Sequence, residues 1–292
     1  MRVLITGATG FLGSNLAQYM RGQGHDVACL HRKGTNLPAP ITGLPSWTTD
    51  EDGTGFGKAL NDFRPDTVVH LAALYLTEHR PEDVAPLLRA NIEYGVHLLE
   101  AMREAESTAM VFAGTSWQHY RNQAYCPANL YAATKQAFTS LADYYRDAHG
   151  LRLLELHLYD SYGPNDPRKK LIHHLCNAAR NATPLAMSHG EQRIHLLHVD
   201  DLTRALEEAC VQVQAFPSGH RELYRLPSPT AISLRELVTL FNQAHPDQPV
   251  KVDWGKRPYR EREIFEPWEG CEILPNWAPR ITLAEGLATI CR

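Results

Sequence analysis

Over its first 158 residues the chain alternates short apolar runs with stretches in which apolar positions recur every three or four residues. Residues 3–5, Val-Leu-Ile, run into Thr6-Gly7 and have the continuity of a buried strand. Residues 11–21 carry Leu12, Leu16, Tyr19 and Met20 on one helical face. Further strands are predicted at 27–30, at 67–71 behind an Arg64-Pro65-Asp66 turn, at 109–113 and at 151–158. Long helices are predicted over 84–106, with Pro86 in the first turn, and over 130–149, closed by Gly150. Residues 35–57 are the weakest stretch, with only 44–48 strand-like. Repeated strand–helix alternation of this kind predicts an open, mostly parallel α/β sheet.

After Tyr159 the texture changes. A loop cluster at 162–167 is followed by a helix at 170–181. Residues 198–213 read as a strand end leading into a helix, with Asp200 and Asp201 supplying the N-cap. The pattern divides the chain into a first domain over 1–158, completed by roughly 196–214, and a smaller lobe over 159–195 and 215–292.

Composition narrows the function classes. The formal net charge is −4, so no basic excess calls for nucleic acid or an anionic membrane. None of the six cysteines forms a C-x-x-C pair, so zinc and dithiol spacings are absent and no metal is expected. The apolar N-terminus is too short for a signal peptide, and no run of 18 apolar residues exists. A soluble cytoplasmic protein with reduced thiols is expected.

The densest chemical signal is Thr6-Gly7-Ala8-Thr9-Gly10-Phe11-Leu12-Gly13, placed between a strand and a helix. Gly7 permits a tight turn, Gly10 lets backbone approach a pyrophosphate, and Gly13 lets helix and sheet pack closely. The helix N-terminus offers free N–H groups to the phosphates. Gly7, Thr9, Gly10, Phe11, Leu12 and Gly13 are therefore the candidate phosphate-side residues.

This opening resembles the extended short-chain dehydrogenase/reductase family, with its Thr-Gly-x-x-Gly-x-x-Gly fingerprint. The resemblance implies a Rossmann-type, doubly wound parallel sheet with a smaller C-terminal substrate lobe. The second strand is followed by His31-Arg32-Lys33, with no acid to take the adenosine ribose 2′-OH. Arg32 and Lys33 can pair with a 2′-phosphate, so NADP(H) is expected over NAD(H), unless both are ordinary loop charges. Leu71, Ala72 and Ala73 resemble the family's cofactor-side strand end, where His70 reads equally as a core histidine.

Tyr131 and Lys135 stand four residues apart, on one face of a predicted helix. An adjacent ammonium is expected to make the phenol more acidic, and the family implies that Lys135 also holds the nicotinamide ribose. Ser116 resembles the family's carbonyl-orienting hydroxyl, with Thr115 as its rival. Related nucleotide-sugar dehydratases carry an Asp-Glu pair directly after this hydroxyl. Here Trp117 and Gln118 stand there, and neither titrates near pH 7.

The segment Leu158 to Lys170, with its Tyr-Gly-Pro-Asn-Asp-Pro-Arg, is similar to the CDP-abequose synthase-like branch of nucleotide-sugar 4-ketoreductases. The expected substrate contacts are Ser116, Trp117, Gln118, Asp160, Lys170, Arg193, Arg257 and Arg260. Arg193 lies five residues before His198, whereas relatives place a phosphate-binding Arg four before. The tryptophan of the closing Leu-Pro-x-Trp pattern, Trp277, is expected to pack the small lobe. Together these imply NADPH-dependent reduction of a nucleotide-linked 4-keto-6-deoxy or 3,6-dideoxy hexose. A 4-epimerase with tightly held NAD and a non-catalytic NADP-binding regulator are the alternatives. Pairing of helices 84–106 and 130–149 across a two-fold would give a homodimer.

Overall fold

The computed structural model describes residues 1–50 and 52–291; Glu51, within the weakly patterned stretch, and Arg292 lie outside them. Six parallel strands follow the predicted apolar runs: β1 (Arg2–Thr6), β2 (Asp26–Arg32), β3 (Ser46–Thr49), β4 (Thr67–His70), β5 (Ala109–Thr115) and β6 (Arg152–Leu158). A seventh, Arg221–Arg225, adds to the outer edge of β6, giving the order (221–225)–β6–β5–β4–β1–β2–β3. This strand was expected in the smaller lobe. Its Arg-Glu-Leu-Tyr-Arg sequence is half-buried throughout, so it lacks the apolar run that marks a central strand.

Helices cover both faces. On one side α1 (Phe11–Gly22) and α7 (Val199–Gln214) enclose Val3, Ile5, Leu16, Val69, Val111 and Leu206. On the other side α2 (Phe56–Phe63), α4 (Tyr94–Glu104) and α5 (Leu130–His149) enclose Leu4, Leu30, Val68, Leu98, Phe112 and Phe138. The alternation of Val3 and Ile5 against Leu4 is the period of two that sends successive strand residues to opposite layers.

The predicted helix over 84–106 is interrupted. α3 (Val84–Leu88) passes through a π turn, Arg89–Glu93, before α4 begins. Such turns concentrate at functional sites. This one carries the buried Asn91, whose amide donates to Leu74 O (3.0 Å) and Thr134 Oγ1 (2.9 Å) and accepts from Leu74 N (2.7 Å). One side chain thereby ties the loop after β4 to α5.

The smaller lobe has its own core, formed by α6 (Leu171–Asn181), α8 (Leu234–Ala244), α9 (Leu283–Leu287) and two- or three-residue strands around Tyr162, Leu175, Leu237 and Phe241. Three expectations change here. His198, not either aspartate, caps α7, with its ring accepting from Asp200 N. Asp201 is buried and accepts from the backbone N–H groups of Arg280 and Ile281, pinning the C-terminal segment to α7. Trp277 donates to Asp201 O at 3.0 Å and packs with α1 and α7 in the larger half, not in the small lobe. Cys176 and Cys291 form a disulfide between α6 and the C-terminal segment, so the expectation of six reduced thiols is also corrected.

Candidate active site

The first turn closes as the glycine spacing requires. Gly10 N donates to Gly7 O at 2.9 Å, and Gly7 has φ +71°. A Cβ at Gly7 would lie 2.7 Å from Ala72 N, and one at Gly13 only 2.3 Å from Gly7 O. Thr6 completes the junction: its hydroxyl lies 2.8 Å from His70 Nδ1 and accepts from Leu71 N and Ala72 N. His70 is fully enclosed, and burial pushes it down to about 3, so it is the neutral core histidine of the two readings. Gly10 caps α1 without a side-chain partner, leaving the helix N-terminus open to an anion. A cradle narrowed to bare backbone fits the pyrophosphate of a dinucleotide. Phe11 is buried, and the Arg168 guanidinium from the small lobe stands over its ring at 4.3 Å.

Arg32, the last residue of β2, and Lys33, just after it, are exposed. His31 is half-buried, its Nδ1 3.4 Å from Thr35 Oγ1.

β5 ends in a capping box that separates the two rival hydroxyls. Thr115 Oγ1 accepts from Trp117 N, and Gln118 Oε1 accepts from Thr115 N at 2.8 Å. Thr115 is thus the cap, and Ser116 is the hydroxyl left for other work. Gln118 is fully buried and also donates to Gln136 Oε1 at 2.9 Å. Both ends of its amide are engaged inside the protein, so Gln118 holds the turn and leaves the expected set of substrate contacts.

α5 starts at an Asn129 cap and presents Tyr131 and Lys135 along one face. Lys135 is only 3% exposed. Burial pushes it down to about 8, against the opposing field of Glu155. Tyr131 moves contrary to the sequence expectation: burial, aided by Tyr75, raises its phenol above the usual value. Desolvation of the phenolate is the largest cause, followed by the field of Tyr75.

Tyr75, missed by the sequence reading, meets Tyr131 edge-on at 5.1 Å and Trp117 at 5.9 Å. Lys170 Nζ stands 4.8 Å over the Tyr75 ring and pairs with Asp160 at 3.2 Å. Arg260 reaches over Trp117 at 5.6 Å. Asp160, Lys170, Arg260 and Trp117 are therefore brought together around Tyr75 and Tyr131. The other expected contacts lie elsewhere. Arg257 is exposed and joins the lobe through its backbone to Met187 O. Arg193 donates to Ala231 O and, with Trp268 and Glu269, lines a cavity of ≈ 490 Å³. Tyr75 carries no spacing that marks it; only its place five residues past the end of β4 at His70 could have drawn attention.

An open phosphate cradle, a half-buried tyrosine and a buried lysine on one helix define a dinucleotide-dependent oxidoreductase. Comparison with known proteins agrees. Residues 3–222 match the model of the NAD dependent epimerase/dehydratase family, and the chain belongs to that family of nucleotide-sugar-modifying enzymes. Among curated proteins, it is 26% identical to a CDP-abequose synthase of Yersinia pseudotuberculosis, covering 91% of this chain and 92% of the relative. It is also 26% identical to a UDP-glucose 4-epimerase of Mycolicibacterium smegmatis, over 99% of this chain and 96% of the relative. Among solved structures, MoeE5 in complex with UDP-glucuronic acid and NAD superposes with a TM-score of 0.85 at 25% identity, covering 100% of this chain and 98% of that one.

Proposed function

We propose that this enzyme uses NADPH to reduce the 4-keto group of a nucleotide-diphosphate-linked 4-keto-6-deoxy or 3,6-dideoxy hexose. The observation that carries the reading is the turn after β5, where buried Ser116, Trp117 and buried Gln118 pack against the helix of Tyr131 and Lys135. A dehydratase needs a titrating pair at these two positions, and neither residue can supply a proton near pH 7.

Gly7, Gly10 and Gly13, with Thr9, Phe11 and Leu12, would hold the pyrophosphate, and Leu71, Ala72 and Ala73 would flank the far half of the dinucleotide. Arg32 and Lys33, exposed at the C-terminal end of β2, suit a 2′-phosphate. When bound, the reduced nicotinamide supplies a hydride. Tyr131, kept protonated by burial, donates the proton that the new alcohol needs. Lys135 stabilises the phenolate left behind, and Ser116 donates a hydrogen bond to the carbonyl oxygen as charge develops on it. Trp117 and Tyr75 give the sugar an apolar wall, while Lys170 and Arg260 supply positive charge beside the diphosphate.

A 4-epimerase using NAD is the second reading, favoured by the epimerases among the relatives. Such an enzyme uses Tyr131 first as base and then as acid, so the same residues serve it, and the exposed Arg32 and Lys33 are what favour the NADPH-dependent reading. The test follows the ultraviolet absorbance of NADPH. Loss of the band only when a 4-keto sugar nucleotide is added supports reduction. Interconversion of C4 epimers with no net loss of NADPH overturns it.

The outward-facing Leu88 on α3 and Leu141 and Tyr144 on α5 suit a homodimer built on these helices, and a solely monomeric species in ultracentrifugation would refute that. No helix among the described residues is long and apolar enough to cross a membrane. The cytoplasm is the compartment an NADPH-consuming step calls for.

A further inference from the structure

A charged cluster lies inside the sheet where an apolar core is expected. Glu155 on β6 is 0% exposed, and His157, two residues along the same strand, is 1% exposed. His157 Nε2 lies 2.9 Å from Glu155 Oε1, and its Nδ1 lies 3.1 Å from His119 Nε2. The His119 ring is stacked on Trp268 with centroids 3.6 Å apart. Arg221, from the edge strand, pairs with the other carboxylate oxygen of Glu155. A buried carboxylate costs several kcal/mol unless it is paired and hydrogen-bonded, so such a cluster calls for a reason.

The reason lies on the neighbouring helix. The Thr139 hydroxyl is 3.0 Å from Glu155 Oε1 and 3.2 Å from the carbonyl oxygen of Lys135, one helical turn back. Gly114 of β5 leaves room for the cluster: a Cβ there would fall 2.6 Å from Glu155 Oε1 and 2.4 Å from the His157 ring. The carboxylate is therefore wedged between the strand that leads into Ser116 and the helix that carries Tyr131. Lys135 has no ion pair among the described residues, and Glu155 supplies the field that opposes its desolvation.

We propose that Glu155 is a positioning residue for Lys135, a fixed negative charge locked by His157, Arg221 and Thr139 that keeps the buried ammonium charged and in place beside Tyr131. The assignment rests on the reading of Lys135 as the partner of Tyr131. The groups facing the pair are few. From β4 comes His70, held neutral by burial, and from α5 come Tyr131 and Asp143, the latter already paired with Arg221 at 3.0 Å. From β6 comes His157, from the turn after β5 His119, pushed down to about 4 by burial, and from the edge strand Arg221. Of these, Glu155 is the anion that acts on the ammonium.

The test reads the lysine directly. In protein labelled with ¹³C-lysine, the Lys135 Cε resonance is assigned by its loss in Lys135→Arg. Its midpoint is expected near the value of about 8 in the parent protein. In Glu155→Gln the midpoint drops by about one pH unit or more. The alkaline limb of kcat moves by the same amount, costing about fivefold at pH 8, with KM for the sugar nucleotide unchanged. A merely structural defect lowers kcat alike at every pH. An unchanged midpoint in folded Glu155→Gln overturns the proposal. Should that variant fail to fold, Thr139→Val takes its place, where a smaller fall is expected and no change is equally fatal. If the parent enzyme turns over no keto sugar, the proposed reaction falls while the lysine titration still decides the role of Glu155.

Discussion

The end of β5 and the basic loop at 255–263 both face the candidate active site, and they are built in opposite ways. Ser116 and Lys135 are buried and Tyr131 half-buried, their backbone carried by a seven-residue strand and a twenty-residue helix packed in one core. The loop carries exposed cations on the irregular stretch after the two-residue strand Val252–Asp253 and touches the first region through rings and long side chains, such as Arg260 over Trp117 and Arg262 over Tyr120 at 4.4 Å. The difference teaches where each kind of function resides. Proton transfer tolerates little misplacement and is held by the core. On the proposed reading, recognition of a charged nucleotide is spread over exposed side chains, each of modest worth.

The largest effect expected from this contrast is at Tyr131. Tyr131→Phe should lower kcat about 10³-fold while leaving the melting temperature nearly unchanged. A variant that retains turnover would show that the buried region does not carry the chemistry. Next comes the cofactor end. Replacing Arg32 and Lys33 together by Ala should weaken NADPH binding about 30-fold and leave NADH binding unaltered. Equal losses for both dinucleotides would remove the 2′-phosphate from the account.

Smaller again is the loop. Arg260→Ala should raise KM for the sugar nucleotide about three- to tenfold with kcat intact, and Arg257→Ala should do less, since its side chain is away from the Tyr75 cluster. A fall in kcat for Arg260→Ala would erase the distinction between the two regions.

The smallest effect concerns pH and stability. Burial holds His70 near 3 and His119 near 4, both below the ordinary value of 6.5. The unfolded chain therefore binds more protons in this window, so stability rises with pH and is lost on acidification below 6.5. Glu155, held near 2 by its partners against an ordinary 4.5, extends the loss further down. The melting temperature should fall by several degrees between pH 7 and 5, and His119→Gln should flatten that slope. A flat profile in the parent protein would contradict the buried neutral histidines.

Much of the larger half was legible along the chain, because a strand covered on both faces must be apolar throughout and a helix on a sheet must repeat every three or four residues. The Gly7–Gly13 turn and the Tyr131–Lys135 pair were legible for the same local reason: their spacing is set within one turn or one helix. Arg221–Arg225 was not, since an edge strand with half-exposed charges has no such pattern. Nor was the role of Gln118, whose partners Thr115 and Gln136 meet only at the junction of β5 and α5. The π turn at Asn91 follows from contacts with Leu74 and Thr134, which no helical periodicity encodes.

By itself the order of residues determined the parallel sheet, the phosphate cradle and the spacing of phenol and amine, all features settled by short-range geometry and by which side chains avoid water. Only the tertiary structure decided that Tyr75 closes on Tyr131, that Thr139 ties Glu155 to the helical turn of Lys135, and that burial raises the phenol. These depend on distances between elements far apart in the chain and on how completely packing excludes solvent, and desolvation is a property of the assembled core that no local sequence carries.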